Sequence, residues 1–136
     1  MPLALSHFRL SLVALAAILI FTLESQAVTA ATRVITDADN GGSVHLRMGD
    51  ILEVHLRSNP TTGYMWHVHP KSTRLLRLVG QSQTQAREPG VGRPLLQVFR
   101  FQAVAIGDGV LLLHYIRAWE RQLSYEEQYS VRISIR

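Results

Sequence analysis

From residue 31 onward, the chain consists of short runs in which apolar and polar residues alternate, and this pattern most constrains its fold. In the run Ile51–Arg57, the apolar residues Leu52, Val54 and Leu56 alternate with polar ones. Side chains two apart point to the same face of a strand, so a period of two describes a half-buried strand. A helical period of 3.6 is not sustained over ten residues anywhere in this part of the chain. The sequence therefore predicts an all-β fold.

Runs of this kind recur at even spacing, with turn residues between them. The predicted strands cover residues 32–36, 43–47, 51–57, 64–69, 75–81, 96–105, 110–117 and 129–136. Turns are predicted at 37–42, at 48–50 and, as a hairpin turn, at 107–109, with a long loop at 81–94. Seven to eight short strands in about one hundred residues indicate an immunoglobulin-like β-sandwich, with a small barrel as the alternative. Trp66, in phase with Val68, is expected in the core.

The first thirty residues have the layout of a secretory signal peptide. Arg9 precedes an apolar run, Leu10–Leu23, and small residues follow at Ala27 and Ala30. The run is shorter than the roughly 20 residues of a transmembrane helix. We expect residues 1–30 to be removed after Ala27 or Ala30, which leaves one domain over 31–136, periplasmic or secreted and away from the membrane. A retained signal anchor is the alternative.

The composition limits the chemistry that is available. The chain has no cysteine, which excludes disulfides and thiolate catalysis, and its formal net charge is +4. The arginines are spread along the strands, which favours a solvated surface over a nucleic-acid partner. The serines do not lie in a G-x-S-x-G context, and the histidines and carboxylates lack a spacing that assigns catalytic roles. We therefore expect neither an enzyme nor a cofactor.

Three histidines are candidate metal ligands. His67 and His69 are two apart on a predicted strand and share a face, and His55 lies on the strand before. Imidazole binds zinc and copper well. These histidines occupy the outward phase, however, where any polar residue is expected, so no metal site is assigned.

One polar tip joins two of the predicted strands, with the sequence Asn59-Pro60-Thr61-Thr62-Gly63-Tyr64 and then Trp66. Pro60 fixes its own φ and biases Asn59 away from helix, and Gly63 can adopt a positive φ. Thr61 and Thr62 are expected at the apex with free hydroxyls. The tip is either an ordinary strand connection or a stiff polar probe for insertion into another molecule.

Two further loops carry candidate binding residues. The first contains Gly90-Val91-Gly92-Arg93, where Gly-x-Gly permits close backbone approach but more often only makes a turn. The second, Arg117-Ala118-Trp119, follows a predicted strand. An exposed Trp119 would be a typical interface anchor, whereas a buried one would cap the end of the sandwich.

Taken in order, these three loops resemble the chagasin family of protein inhibitors of papain-type cysteine peptidases. The family pattern is N-P-T-T-G-aromatic-x-W, then G-x-G-G, then R-P-W, and the chain follows it in order across 31–136. The first motif matches in full. Arg93 stands where the family has a second consecutive Gly, and Ala118 stands where it has Pro.

The resemblance implies an immunoglobulin-like monomer whose three loops cluster at one end and block a papain-type peptidase reversibly. By resemblance, the first loop enters the active-site cleft and the other two contact its rims. The implied peptidase-binding residues are Asn59, Pro60, Thr61, Thr62, Gly63, Tyr64, Gly90, Val91, Gly92, Arg93, Arg117, Ala118 and Trp119. Arg93 adds bulk and charge to one rim contact, and Ala118 loses the stiffness of proline. The alternative is an exported β-sandwich that binds another protein, a ligand or a metal ion.

Overall fold

The computed structural model describes residues 27–85, 94–119 and 127–136, which form eight strands. In chain order the strands are β1 (Thr32–Thr36), β2 (Ser43–Leu46), β3 (Ile51–Ser58), β4 (Met65–Val68), β5 (Leu76–Gln85), β6 (Leu95–Ala103), β7 (Gly107–Ile116) and β8 (Glu127–Ile135). Short 3₁₀ turns occur at Asp37–Asp39, Pro60–Thr62 and Pro70–Thr73. The all-β prediction of seven to eight strands is confirmed.

The strands form two separate four-stranded sheets. The first has the order β1-β3-β6-β5, and the second has the order β2-β8-β7-β4. The pairs β1–β3 and β2–β8 are parallel, and the other neighbours are antiparallel. Two open sheets with a shared core make a sandwich, so the barrel alternative is wrong.

The core lies between the sheets, where the predicted alternation places it. Leu52, Val54 and Leu56 of β3 are buried, and so are Phe99 and Phe101 on the neighbouring β6. The facing sheet contributes the buried residues Val44, Leu46, Trp66, Leu111, Leu113, Tyr129, Val131, Ile133 and Ile135. Burying every second residue from both sheets is what stabilises a sandwich of this size.

The predicted hairpin turn at 107–109 is wrong. Gly107 begins β7, and β6 and β7 lie in different sheets, so the chain crosses between the sheets at residues 104–106. The glycines serve packing instead. A Cβ at Gly109 would lie 2.9 Å from Cδ1 of Leu75, so this glycine leaves room for the buried leucine.

Strand β5 is longer than predicted. The polar residues 82–85, assigned to a loop from their composition, continue β5 and pair with β6 as far as Gln85 opposite Leu95. Their side chains are exposed because β5 is an edge strand, so hydrogen bonding to β6, rather than burial, holds this part of the strand. Alternation of apolar and polar residues indicates burial, so it does not predict a strand segment whose side chains are all exposed.

The predicted signal peptide lies almost entirely outside the described residues, which begin at Ala27. Within the described ranges, no helix has the length and apolar character to cross a membrane.

Candidate functional site

Three chain connections leave the sandwich at the same end, and a fourth, at 37–42, begins beside that end, where Asp37 accepts from the backbone N of Arg57. Met65, at the start of β4, lies opposite Ile116, at the end of β7. Ser58, at the end of β3, lies opposite Leu95 at the start of β6, which in turn lies opposite the last residue of β5. The connections 59–64, 86–94 and 117–126 therefore start and finish at this end, here called the loop end. The opposite end, with the connections 47–50, 69–75 and 104–106, is called the turn end.

The tip between β3 and β4 is a single 3₁₀ turn with a cap at each side. Asn59 caps it at the start, since its Oδ1 accepts from the backbone N of Thr61 at 3.3 Å. Gly63 ends it in the left-handed region, with φ 80°, where glycine has little steric cost. Pro60 occupies the first turn position, where its missing N–H is not needed. The local sequence therefore specifies the turn.

The prediction that both threonine hydroxyls are free is wrong. The Thr61 hydroxyl donates to Oδ1 of Asn59 at 2.6 Å. The Thr62 hydroxyl donates to the carbonyl oxygen of Asn59 at 2.7 Å and accepts from the backbone N of Tyr64 at 3.4 Å. A 3₁₀ turn brings residues three apart together, and short hydroxyl side chains readily bond the backbone within that distance. These bonds stiffen the apex.

Two residues at the end of β7 hold the two ends of this tip. The Tyr115 hydroxyl accepts from the backbone N of Asn59 at 2.9 Å. The Arg117 Nε donates to the carbonyl oxygen of Thr62 at 3.0 Å. Residues two apart along a strand point to the same side, so the spacing Tyr115-x-Arg117 places one partner at the start of the tip and one at its end.

A series of stacked side chains continues from the loop end into the core. The Cζ of Arg117 lies 4.3 Å from the ring centroid of Tyr64. The Tyr64 ring stacks on Tyr115 at 5.5 Å, and Tyr115 contacts Trp66 at 5.0 Å. Trp66 meets Tyr129 edge-on at 6.3 Å and is only 5% exposed, which confirms the prediction that it lies in the core. Contacts of this geometry add stability beyond area burial.

Trp119 is exposed and lies against the tip. Its exposed fraction is 69%, yet a Cβ on Gly63 would lie 2.8 Å from its Cζ2 atom. Glycine at 63 is therefore required twice, for its positive φ and for the space that the indole fills. Of the two roles considered for Trp119, the exposed one is found, and Ala118 beside it is also exposed. Gly90, Val91, Gly92 and Arg93 lie outside the described residues.

Gln97 is a site residue that sequence reasoning missed. It is fully buried on β6, and its Oε1 accepts from the backbone N of Trp66 at 2.8 Å. Its Nε2 donates to the carbonyl oxygen of Trp66 at 3.3 Å. Because β6 and β4 lie in different sheets, this amide joins the two sheets just below the tip. The available signal was a polar residue in the inward phase with Phe99 and Phe101.

Trp66 and Tyr129 make two more links between the sheets near the loop end. The Trp66 Nε1 donates to the carbonyl oxygen of Arg57 at 2.9 Å. The Tyr129 hydroxyl donates to the carbonyl oxygen of Thr36 at 2.9 Å. Burial, with a smaller contribution from Asp39 and Asp37, raises the pKa of Tyr129 well above its usual range, so its hydroxyl remains a donor.

The three candidate metal-binding histidines do not come together. His55 lies on β3 beside Glu53, 3.1 Å away, in the opposite sheet from His67 on β4. The Nδ1 of His69 accepts from the backbone N of Lys71 at 3.1 Å. Within the described residues, no group of three or more metal-ligating side chains is placed to hold an ion.

A sandwich with a preformed tip and an exposed tryptophan at one end is typical of a binding protein, and comparison with known families shows which kind. Residues 45–133 match the model of the family described as chagasin family peptidase inhibitor I42. The chain therefore belongs to the chagasin family of peptidase inhibitors. As the sequence predicted, it is a cysteine peptidase inhibitor and not an enzyme, and papain-type cysteine peptidases are the partners of its family.

Curated relatives show the same likeness. Amoebiasin-2 of Entamoeba histolytica is 28% identical over 106 residues, covering 74% of this chain and 83% of that protein. Chagasin of Trypanosoma cruzi is 42% identical over 33 residues, or 24% of this chain and 30% of chagasin.

Solved structures support the fold. A crystal structure of a cysteine protease inhibitor from Entamoeba histolytica superposes with a TM-score of 0.70 at 24% identity, covering 79% of this chain and 97% of the other. The solution structure of amebosin gives a TM-score of 0.62 at 21% identity, with 79% and 100% covered. At these identities, both likenesses show the fold alone.

Proposed function

We propose that the protein is exported and blocks papain-type cysteine peptidases reversibly with three loops at its loop end. The tip at 59–63 lies over the Cys–His pair on the floor of the peptidase cleft. Arg117, Trp119 and the residues 90–93 contact the rims. A cleft bordered by two rims requires a protruding element flanked by two others, and the strands that flank the three connections all start or end at the loop end.

The observation that carries this proposal is that the tip is already formed in the unbound protein. Its apex is fixed by internal bonds from both threonine hydroxyls, and its two ends are held by Tyr115 and Arg117. An element that is rigid before binding loses little conformational entropy on binding. A protein complex of standard size buries about 800 Å² on each partner.

The chemistry of the apex suits a cleft that is polar at its floor. Thr61 and Thr62 are small, uncharged and exposed, and their hydroxyls already have partners inside the tip. Little desolvation cost therefore accompanies insertion. Trp119 offers a large exposed apolar surface beside the tip, and tryptophan is among the residues enriched in binding hot spots.

Titration of active papain with the protein and with the variant Thr62→Arg tests this proposal. A long charged side chain at the apex has no room where the cleft is narrowest, so we expect inhibition to weaken at least tenfold, or about 1.4 kcal/mol. Thr73→Arg is a matched control, because Thr73 is also exposed in a 3₁₀ turn and bonds the carbonyl oxygen of Pro70, at the turn end. The control should inhibit like the parent. Equal inhibition by folded Thr62→Arg would show that the tip does not enter the cleft.

Export is part of the proposal, and a contact at the turn end supports cleavage after Ala30. The backbone N of Ala31 donates to Oδ1 of the buried Asp50 at 3.0 Å. Cleavage after Ala30 would convert this N–H into an α-ammonium group beside the carboxylate, and such charge-assisted bonds are stronger than neutral ones. Mass spectrometry of the exported protein checks the site. An intact Met1 in a membrane fraction would instead indicate a retained anchor.

A further inference from the structure

Three carbonyl groups of the tip, those of Asn59, Pro60 and Thr62, accept hydrogen bonds within the protein. The Asn59 oxygen accepts from the backbone N of Thr62 at 3.2 Å, and the Pro60 oxygen accepts from that of Gly63 at 3.0 Å. These two bonds belong to the 3₁₀ turn itself. The Thr62 oxygen differs, because it accepts from the side chain of a separate loop, the Nε of Arg117 at 3.0 Å.

The position of Arg117 is fixed by a second contact. Its guanidinium carbon lies 4.3 Å from the Tyr64 ring centroid, and Tyr64 itself stacks on Tyr115. The guanidinium therefore contacts both the Tyr64 ring and the Thr62 oxygen. The bond to that oxygen is charge-assisted, which makes it about twice as strong as a neutral one. The carbonyl of the Thr62–Gly63 peptide bond is thus held by the side chain of Arg117. Substituting Arg117 would remove that bond and leave the hydrogen bonds of the 3₁₀ turn in place.

We propose that Arg117 is a positioning residue that protects the Thr62–Gly63 bond from cleavage, so that the tip blocks the peptidase without being its substrate. This inference rests on the proposed function, in which the tip lies over the catalytic cysteine. A cysteine peptidase needs the carbonyl oxygen of the scissile bond in its own oxyanion hole. With the oxygen held by Arg117, the carbonyl points back into the inhibitor.

The reaction that Arg117 prevents is ordinary peptide hydrolysis. The thiolate would attack the Thr62 carbonyl carbon to form a C–S bond, and the oxygen would carry the negative charge until the C–N bond to Gly63 breaks. The Gly63 nitrogen would leave with a proton from the catalytic imidazolium, and water would hydrolyse the thioester. Two fragments, ending at Thr62 and beginning at Gly63, would result.

The test is prolonged incubation of the protein with active papain, with intact mass and residual inhibition followed over time. We expect the parent to stay intact and Arg117→Ala to be cut between residues 62 and 63 at least about tenfold faster, the scale of one charge-assisted bond. Inhibition by Arg117→Ala should then be temporary. Arg132→Ala removes an exposed arginine from β8 and controls for the lost charge. Arg117→Lys, which keeps a charged donor, should slow the cut relative to Arg117→Ala.

Several outcomes would overturn the inference. A guanidinium also polarises a carbonyl, so if that effect dominated, the parent would be cut faster than Arg117→Ala. An uncut and fully inhibitory Arg117→Ala, or one that binds weakly but stays intact, would likewise refute protection. Cleavage elsewhere, with a lowered unfolding midpoint, would assign Arg117 a merely structural role. A parent that does not inhibit papain would instead refute the proposed function itself.

Discussion

The two ends of the sandwich differ in the bonds that position their connections. At the turn end, separate segments meet largely through main-chain hydrogen bonds, to which the carboxylate of Asp50 and the hydroxyl of Ser72 add side-chain bonds. Met48 N donates to the Arg136 oxygen at 3.0 Å, and Gly49 N donates to the Ala103 oxygen at 2.9 Å. At the loop end, side chains connect the tip to the rest of the protein, chiefly through Tyr115 and Arg117.

This difference separates stability from function. Main-chain bonds exist whatever the side chain, so the turn end tolerates substitution until a special residue such as Asp50 is changed. Side-chain bonds can be altered one at a time without disturbing the strand ladders. The loop end can therefore vary in its binding properties while the fold persists, a common arrangement for loops on a rigid scaffold.

The largest loss of stability is expected at Trp66, where stability and inhibition are not separate. This residue belongs to the core and also, through Tyr115, supports the tip. Trp66→Ala should lower the free energy of unfolding by about 3–5 kcal/mol because it removes a large buried side chain, and inhibition should weaken as well. Denaturant unfolding measures the first effect. A loss below about 1 kcal/mol would contradict the core assignment.

The next largest effect is expected at the turn end, from Asp50→Ala. The Asp50 carboxylate accepts from the backbone N of Arg47 at 2.8 Å and from that of Ala31 at 3.0 Å. Its loss should cost about 2 kcal/mol of stability, because two part-buried backbone N–H groups lose their bonds to the carboxylate. Inhibition of the folded variant should not change. A shifted inhibition constant with unchanged stability would invalidate the comparison at this end.

The same bonds predict an acid dependence. The backbone N–H groups of Arg47 and then Ala31 hold the pKa of Asp50 below its usual range. A carboxylate with a lowered pKa stabilises the fold above its ordinary value near 4 and loses that effect as the pH falls through the folded value. Asp50→Ala should therefore flatten the acid limb of the stability curve. Unfolding midpoints of the parent and of Asp50→Ala, measured from pH 5 down to the pH at which the parent unfolds, check this.

Trp119→Ala should produce the opposite pattern at the loop end. We expect inhibition to weaken by about 2 kcal/mol, the scale of a hot-spot residue. Stability should hardly change, because the side chain is 69% exposed. Ile106→Ala is a matched control, since Ile106 is 66% exposed at the turn end. If both substitutions left inhibition unchanged, Trp119 would not be a rim anchor.

The sequence predicted what depends on local periodicity and local turn chemistry. The alternation in β3 and β6 shows which face is buried, and the Asn59–Gly63 turn follows from its cap, its proline and its glycine. The sequence failed where the partner is remote. Gln97 bonds Trp66 from 31 residues away and from the other sheet, and no local pattern marks that pairing. The hairpin turn predicted at 107–109 is wrong for the same reason, since no local pattern shows that β6 and β7 lie in different sheets.

The smallest expected effect is a loss of stability in mild acid from His114. Burial, and then the charge of His69 with its ring 5.3 Å away, lowers the pKa of His114. The unfolded chain then binds a proton more readily, so stability is full above the ordinary pKa near 6.5 and falls as the pH drops below it. His114→Gln should therefore reduce the fall in the unfolding midpoint that the parent shows between pH 7 and pH 5.

The separation of the two ends is tested most directly by measuring the inhibition constant against papain and the unfolding midpoint on the same preparations of Asp50→Ala and Trp119→Ala. We predict that Asp50→Ala lowers only the midpoint and that Trp119→Ala weakens only inhibition. The account would be contradicted if both variants moved both quantities together. Inhibition would then depend on the stability of the whole sandwich and not on side chains at one end of it.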